Sequence, residues 1–380
     1  MAEASPRFLS LDVFRGMTIC FMIIVNNPGT ADKFWPLEHA HWHGFTPTDL
    51  VFPSFLFAVG NAMSFTMKKF AEMTNAQILG RIFKRTLIIF LIGYLLSWFP
   101  FWDVHNGNWD FRPFSGTRIM GVLQRIALSY CFASLMIHYL KRNTVITLCI
   151  LSLIGYWIIL LIWGDPSDPL GMLTNTGTYI DKAIFGDAHL YHGEHDLSGN
   201  ALAFDPEGLL STMTSIVNVV IGYYAGKFIQ EKGKSYETVA RLALVGALFI
   251  FIAICLDPFF PINKKLWSSS FVFITTGIDL VLISFLIYIV EILKWNKGNW
   301  TGFFTVVGKN PLFIYIVSEV LLTILAWITL GGKDIPTWTG NFYQLIAPGK
   351  WGSLFFAVTF MLTCWLLGYF MDRNKLYVRV

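Results

Sequence analysis

Apolar runs long enough to cross a bilayer recur along almost the whole chain, and no other feature constrains its fold as tightly. A spanning helix needs about 20 residues to cross roughly 30 Å of hydrocarbon. By that measure about ten runs qualify, with approximate cores at 10–27, 50–67, 82–99, 119–140, 144–163, 209–229, 240–256, 269–292, 305–330 and 352–371. Composition agrees: 55% of the 380 residues are hydrophobic and only 14% are charged, whereas soluble domains carry about a quarter charged residues. The predicted fold is all-α, a polytopic transmembrane helix bundle of about ten helices. No internal repeat, low-complexity tract or linker divides it, so residues 1–380 read as a single transmembrane domain. The net charge of +4 is spread over many loops and points to no nucleic acid.

The loops orient the bundle. With the N-terminus inside, 18 of the 28 basic residues fall in cytoplasmic segments and 8 in outer loops. By the positive-inside rule both termini are expected in the cytoplasm. The first run directly follows Arg7 and contains Asp12 and Arg15, a pattern unlike a cleaved signal peptide. Seven of the eight histidines then lie on the outer side, and three outer segments are long: 28–49, 100–118 and 164–208. All five cysteines (Cys20, Cys131, Cys149, Cys255, Cys364) lie inside apolar runs and read as buried small hydrophobes, with no disulfide framework.

Asp12, Arg15, Arg125, Asp279 and Glu319 stand where hydrocarbon should forbid them. Each costs roughly 2.5–3.5 kcal/mol at a helix centre, so each is expected to face the bundle interior. Internal ion pairs are one reading, and Asp12 and Arg15, three apart, share a helix face. Two interior guanidiniums with few certain carboxylate partners also suit an anionic ligand. From Arg15 to Asn26 is eleven residues, about 16 Å of helix. A long ligand with phosphates at one end and a reactive group at the other fits that span, and coenzyme A is such a molecule.

Segment 34–53 reads FWPLEHAHWHGFTPTDLVFP. His39, His41 and His43 alternate at period two, which on an extended strand puts all three on one side. Zinc is therefore one reading. A single histidine working as a general base is preferred, because its ordinary pKa near 6.5 suits proton removal near neutral pH. Asp49 either caps the following helix or orients that histidine. His189, His192 and His195 form a second cluster, among acidic residues that make a solvated loop the simpler reading.

SLDVFRGM, IIVNN and EHAHWHGFTPTDLVFPSF closely resemble the heparan-α-glucosaminide N-acetyltransferase family of transmembrane acyltransferases. The likeness continues through GVLQRIALSY, GDAHLY, DPEGLLSTMTSIVNVVIGYYAGK, NKKLWSSS, GKNPLFIYIVSE and the basic C-terminal tail. The resemblance implies an enzyme that moves acetyl from cytoplasmic acetyl-CoA to the amino group of a glucosamine-type sugar across the membrane. By motif, His39 matches the family's catalytic histidine, Asn26 its partner asparagine, and Asp49 the aspartate of its ADLVFP-like segment. Arg125, Lys375 and Arg379 resemble positions that hold the nucleotide phosphates, to which the residue reading adds Arg15. His43 departs from the family, which often has Asn there. The animal members carry an additional N-terminal region and helix, and the shorter form is expected to be a multi-pass protein of a bacterial inner membrane.

The expected partners are acetyl-CoA as donor substrate, an amino sugar or glycan end, and the lipid bilayer. No metal is expected, and homodimer formation is left open. The alternatives are O-acetylation of a cell-envelope glycan and secondary transport of a sugar or anion.

Overall fold

The computed structural model describes residues 8–105, 108–196, 198–328 and 337–378, and most of them are helical. The first half of the chain forms α1 (Leu9–Asn26), α2 (Val51–Thr66), α3 (Asn75–Trp98), α4 (Val122–Tyr139), α5 (Arg142–Trp163) and α6 (Thr176–Phe185). The second half forms α7 (Thr212–Lys232), α8 (Tyr236–Leu256), α9 (Ser269–Leu286, continued by a π-helical turn to Ile292), α10 (Trp300–Gly308), α11 (Pro311–Ile328), α12 (Thr337–Ile346) and α13 (Lys350–Arg373). Two short antiparallel hairpins interrupt the helices. One pairs β1 (Trp102–His105) with β2 (Asn108–Phe111), Trp102 opposite Phe111. The other pairs β3 (Glu194–His195) with β4 (Ala201–Leu202).

Each of the ten expected apolar runs falls largely within one of these helices or, for 305–330, on α10 and α11 together. Composition is less uniform than run length implied. Among the described residues six helices are long and apolar enough to cross a membrane: α1, α5, α8, α13, the stretch Pro47–Phe70 around α2, and α9 with its continuation. A seventh span exists if α10 and α11, bent by 80° at a short break, count as one. Of the other helices on those runs, α4 and α7 bury polar side chains, Gln124, Arg125, Ser129 and Ser134 on α4, and Thr214, Ser215 and Asn218 on α7. These side chains face protein and not lipid, which is how a membrane bundle accommodates them.

Local chemistry sets the helix ends. Asn27-Pro28 stops α1, since the residue before proline is pushed out of the helical region. Thr74 and Gln77 form a reciprocal capping box at the start of α3, and Ser235 and Ser268 cap α8 and α9. α5 and α8 lie at the periphery, with only 28% and 17% of their apolar windows buried, while α1, α2 and α9 exceed 60%. Cys255 is accordingly exposed on α8, a departure from the expectation of burial that the other four cysteines follow.

Two seams draw the centre together through glycine. A Cβ added at Gly60 on α2 would lie 1.9 Å from the Val219 carbonyl oxygen, and one at Gly222 on α7 would lie 2.1 Å from that of Phe57. α1 and α10 meet in the same way: a Cβ at Gly16 would lie 1.9 Å from the Phe304 oxygen, and one at Gly308 2.5 Å from that of Asp12. Small residues let helix backbones touch where no hydrophobic force between helices is available.

Candidate active site

The end of α1, the segment before α2 and the loop before α9 converge on one cavity of about 220 Å³. His39 and Asp49 are ten residues apart, yet His39 Nδ1 lies 2.7 Å from Asp49 Oδ1. The turn between them explains this. Thr46 caps the 3₁₀ turn Pro47–Leu50 that leads into α2, and Asp49 reaches back to it. Asp49 Oδ2 accepts from the backbone N–H groups of Thr46 (3.1 Å) and Ala40 (3.2 Å). Capping and histidine orientation are therefore not alternatives. One carboxylate oxygen does each.

A carboxylate accepts only, so Nδ1 carries the ring proton and Nε2 is left with its lone pair. His39 keeps 43% of its side chain exposed, and the partial burial of its ring against the cavity lowers its pKa below the usual histidine value. Asp49 opposes that shift, and the Lys264 ammonium reinforces it. Lys264 Nζ lies 3.1 Å from His39 Nδ1, 3.3 Å from Nε2 and 3.8 Å from Asp49 Oδ1. Burial also lowers the pKa of Lys264, against the pull of Asp49 and Glu207. Partial burial and the Lys264 ammonium thus favour the neutral imidazole at His39.

Asn26, the last residue of α1, lines the same cavity. Its neighbour Asn27 is buried and donates to the Ile23 carbonyl (2.8 Å), so of the adjacent pair only Asn26 is presented to the cavity.

The opposite wall was not foreseen. Arg118 makes a two-pronged contact with Asp205 (2.9 and 2.7 Å), pairs with Glu207, and lies over the Tyr191 ring. Burial alone would raise the pKa of Glu207, but Arg118, then Arg125, hold it below the ordinary range. Glu194, expected in a solvated loop, lines the cavity and pairs with Lys265 at 2.6 Å. The signals were the DPEG and NKKLW segments: charges inside otherwise apolar surroundings, brought to His39 only by tertiary structure.

The three alternating histidines do not converge. Asn263 Nδ2 lies 3.3 Å from His43 Nδ1, while at His41 it is the backbone oxygen that accepts from Lys265. His189 and His192 turn to the backbone oxygens of Thr117 and Leu190. Among the described residues no group of three or more His, Cys, Asp or Glu side chains is placed to hold a metal ion.

Arg15 lies at the other end of α1. It pairs with Asp12 at 3.5 Å and donates to the Gly308 carbonyl at 3.1 Å, at the break between α10 and α11. The C-terminal tail docks on the same break. Lys309 pairs with Asp372 (2.7 Å), and Asn310 binds both the Leu376 carbonyl (2.9 Å) and the Val378 amide (2.9 Å). Lys375 is exposed in this tail, and Arg379 lies outside the described residues.

The structure does not bring Arg125 to that group. It lies three residues into α4 from Val122, which lines the His39 cavity. Wholly buried, it donates to the Gly208 carbonyl (3.0 Å) and the Ser211 hydroxyl, and stacks on Trp267. Two of its nitrogens, Nε and Nη1, have no hydrogen-bond partner. Internal ion pairing was one reading of the buried acids. Asp279 instead accepts from the Ser54 hydroxyl at 2.5 Å, and its second oxygen is unmatched.

A family model described as "Heparan-alpha-glucosaminide N-acetyltransferase, catalytic" matches residues 7–175. The matched stretch holds Asn26, His39, Asp49, Arg118 and Arg125, while Glu207 and Lys264 come from beyond it. Heparan-alpha-glucosaminide N-acetyltransferase of Homo sapiens is 29% identical over 372 residues, covering 84% of this chain and 54% of that protein. The Mus musculus protein of the same name is 29% identical over 369 residues, with the same shares covered. The chain thus spans about half the length of these relatives. With the catalytic model laid over α1 to α5 and the likeness to both relatives running through most of its length, the chain is similar to the heparan-alpha-glucosaminide N-acetyltransferases.

Proposed function

We propose that this chain is a membrane acetyltransferase that moves acetyl from cytoplasmic acetyl-CoA to the amino group of a glucosamine-type sugar on the far side of the bilayer. The observation that carries the reading is the His39–Asp49 contact at 2.7 Å in a cavity also lined by Asn26. All ten apolar runs are read as crossing, with both termini cytoplasmic, in the inner membrane of a bacterium.

In this scheme the phosphates of coenzyme A lie against Arg15 and the tail around Lys375 and Arg379, and the pantetheine arm runs along α1. Arg125 would meet the donor through the two nitrogens that lack partners. The sugar nitrogen attacks the thioester carbonyl carbon and forms the C–N bond, while its proton passes to His39 Nε2. The carbonyl electrons move to oxygen, where the Asn26 amide and the Lys264 ammonium donate to the developing charge. Collapse breaks the C–S bond, and the departing thiolate takes the proton from His39. Transfer through an acetylated His39 uses the same groups in two steps.

The test is acetyl-CoA consumption by the purified full chain with a panel of amino sugars, the acetylated product being identified by mass spectrometry. Product on glucosamine is expected; turnover with hydroxyl acceptors alone would turn the reading to O-acetylation. Transport has one observation in its favour, the 80° break between α10 and α11, since transporters build sites from broken helices. Sugar counterflow in proteoliposomes with no acetylated product would establish it instead.

A further inference from the structure

Beside the His39 cavity lies a second chamber of about 190 Å³, far more room than a single buried water needs. It is enclosed by the end of α3, the start of α4 and α11, and it shares Arg118 and Val122 with the first cavity. Glu319 on α11 lines it, and among the described residues no hydrogen bond or ion pair reaches that carboxylate. A carboxylate kept on a membrane helix without a partner marks a site with a task. Gln124 faces it from α4, pinned by its bond to the Ile119 carbonyl (3.0 Å); its side-chain oxygen fills the space that a side chain at Gly93 would occupy. Ser97 adds a hydroxyl.

Phe99, also in the wall, connects the chamber to a cluster of aromatic rings. It packs on Phe101, which packs on Trp98, and Trp98 in turn meets Phe111 and Phe114 at centroid distances of 5.3 and 4.1 Å. Phe111 and Phe114 are exposed, as is Trp102 on the same hairpin. A pyranose ring has apolar C–H faces and a hydroxylated edge. Aromatic faces match the first, and a carboxylate that accepts from hydroxyls matches the second.

We propose that the second chamber is a saccharide subsite, in which Glu319 holds the hydroxylated body of the acceptor so that its amine passes beside Arg118 to His39. The inference rests on the acetyltransfer reading and deepens it.

The test pairs steady-state kinetics with direct binding of glucosamine to the full chain, measured by calorimetry without acetyl-CoA. Glu319→Gln is expected to raise the sugar Kd and KM roughly tenfold or more, the loss of one charge-assisted contact, with the acetyl-CoA KM unchanged. Thr323→Phe, which narrows the chamber without altering charge, is expected to do the same and carries the test if the first variant does not fold. Wild-type sugar affinity in both variants overturns the subsite. So does an equal rise in both KM values with a lowered melting temperature, which assigns Glu319 to structure. Glucosamine binding by wild type with no acetyl transfer keeps the subsite and removes the reaction. Acetyl transfer with unchanged sugar KM in both variants removes the subsite and keeps the reaction.

Discussion

Asp49 divides its two oxygens between a histidine ring and the backbone: Oδ1 meets His39 Nδ1 at 2.7 Å, and Oδ2 accepts from the Thr46 and Ala40 amides at the turn that leads into α2. The imidazole is therefore positioned by the same carboxylate that begins a membrane helix, and its outward nitrogen is the unprotonated one.

His39→Ala should lower turnover by about 10²–10⁴-fold, the range typical of a lost general base, with acetyl-CoA affinity and melting temperature near wild type. His41→Ala and His43→Ala should lose far less in the same assay, because neither side chain touches Asp49. Equal losses at all three positions would remove the assignment.

The acid limb of the rate profile should fall below the ordinary histidine value near 6.5, since burial and Lys264 both disfavour protonated His39. Lys33 adds to Lys264, and Asp49 opposes them. Lys264→Met removes one of the two cations, so the limb should move to higher pH, with a lower maximum rate. A limb that stays in place would mean that Lys264 does not act through His39.

At the donor end, Arg15→Ala should raise the KM for acetyl-CoA several-fold, in line with one charge-assisted phosphate contact, and leave the sugar KM alone. Arg125→Ala is the sharper comparison. A raised acetyl-CoA KM in folded protein supports contact with the donor. A lowered melting temperature with unchanged KM assigns Arg125 to holding Gly208 and Ser211 in place.

Stripping divalent ions with a chelator should leave acetyl transfer intact, because His39 works with Asp49 and Lys264 in this scheme. Loss on chelation with recovery on added zinc would overturn that part of it.

Cysteine labelling in intact cells should reach positions near 35, 110 and 190 from outside, and near 75 and 235 only after permeabilisation. Cytoplasmic labelling of position 35 would reverse the topology.

The positions of the long apolar helices were legible from run length, because hydrocarbon thickness is a property of the solvent and not of the fold, whereas the short α6 and α12 and the break between α10 and α11 were not. The ends of α1 and α2 were legible too, through Pro28 and the Thr46–Asp49 spacing. The polar character of α4 and α7 was weaker in sequence, since buried Ser, Thr and Asn only make sense beside the helices they face. Lys264 and Glu207 lay outside any local pattern around His39. They are 225 and 168 positions away along the chain, and only the packing of α4, α7 and α9 around the cavity brings them near. Arg125 could be recognised as interior, but which end of the bundle it served depended on the direction of α4.

The glycine seams restrict how this protein can move. With backbone pressed on backbone at Gly60–Val219 and Gly16–Phe304, there is no side-chain layer to slide or repack. α1 with α10, and α2 with α7, therefore behave as two stiff beams. Any breathing that admits a substrate falls to the elements outside them, among which α3 and α11 border the second chamber. A cross-link between α1 and α10 should then leave turnover unchanged, whereas one between α3 and α11 should arrest it.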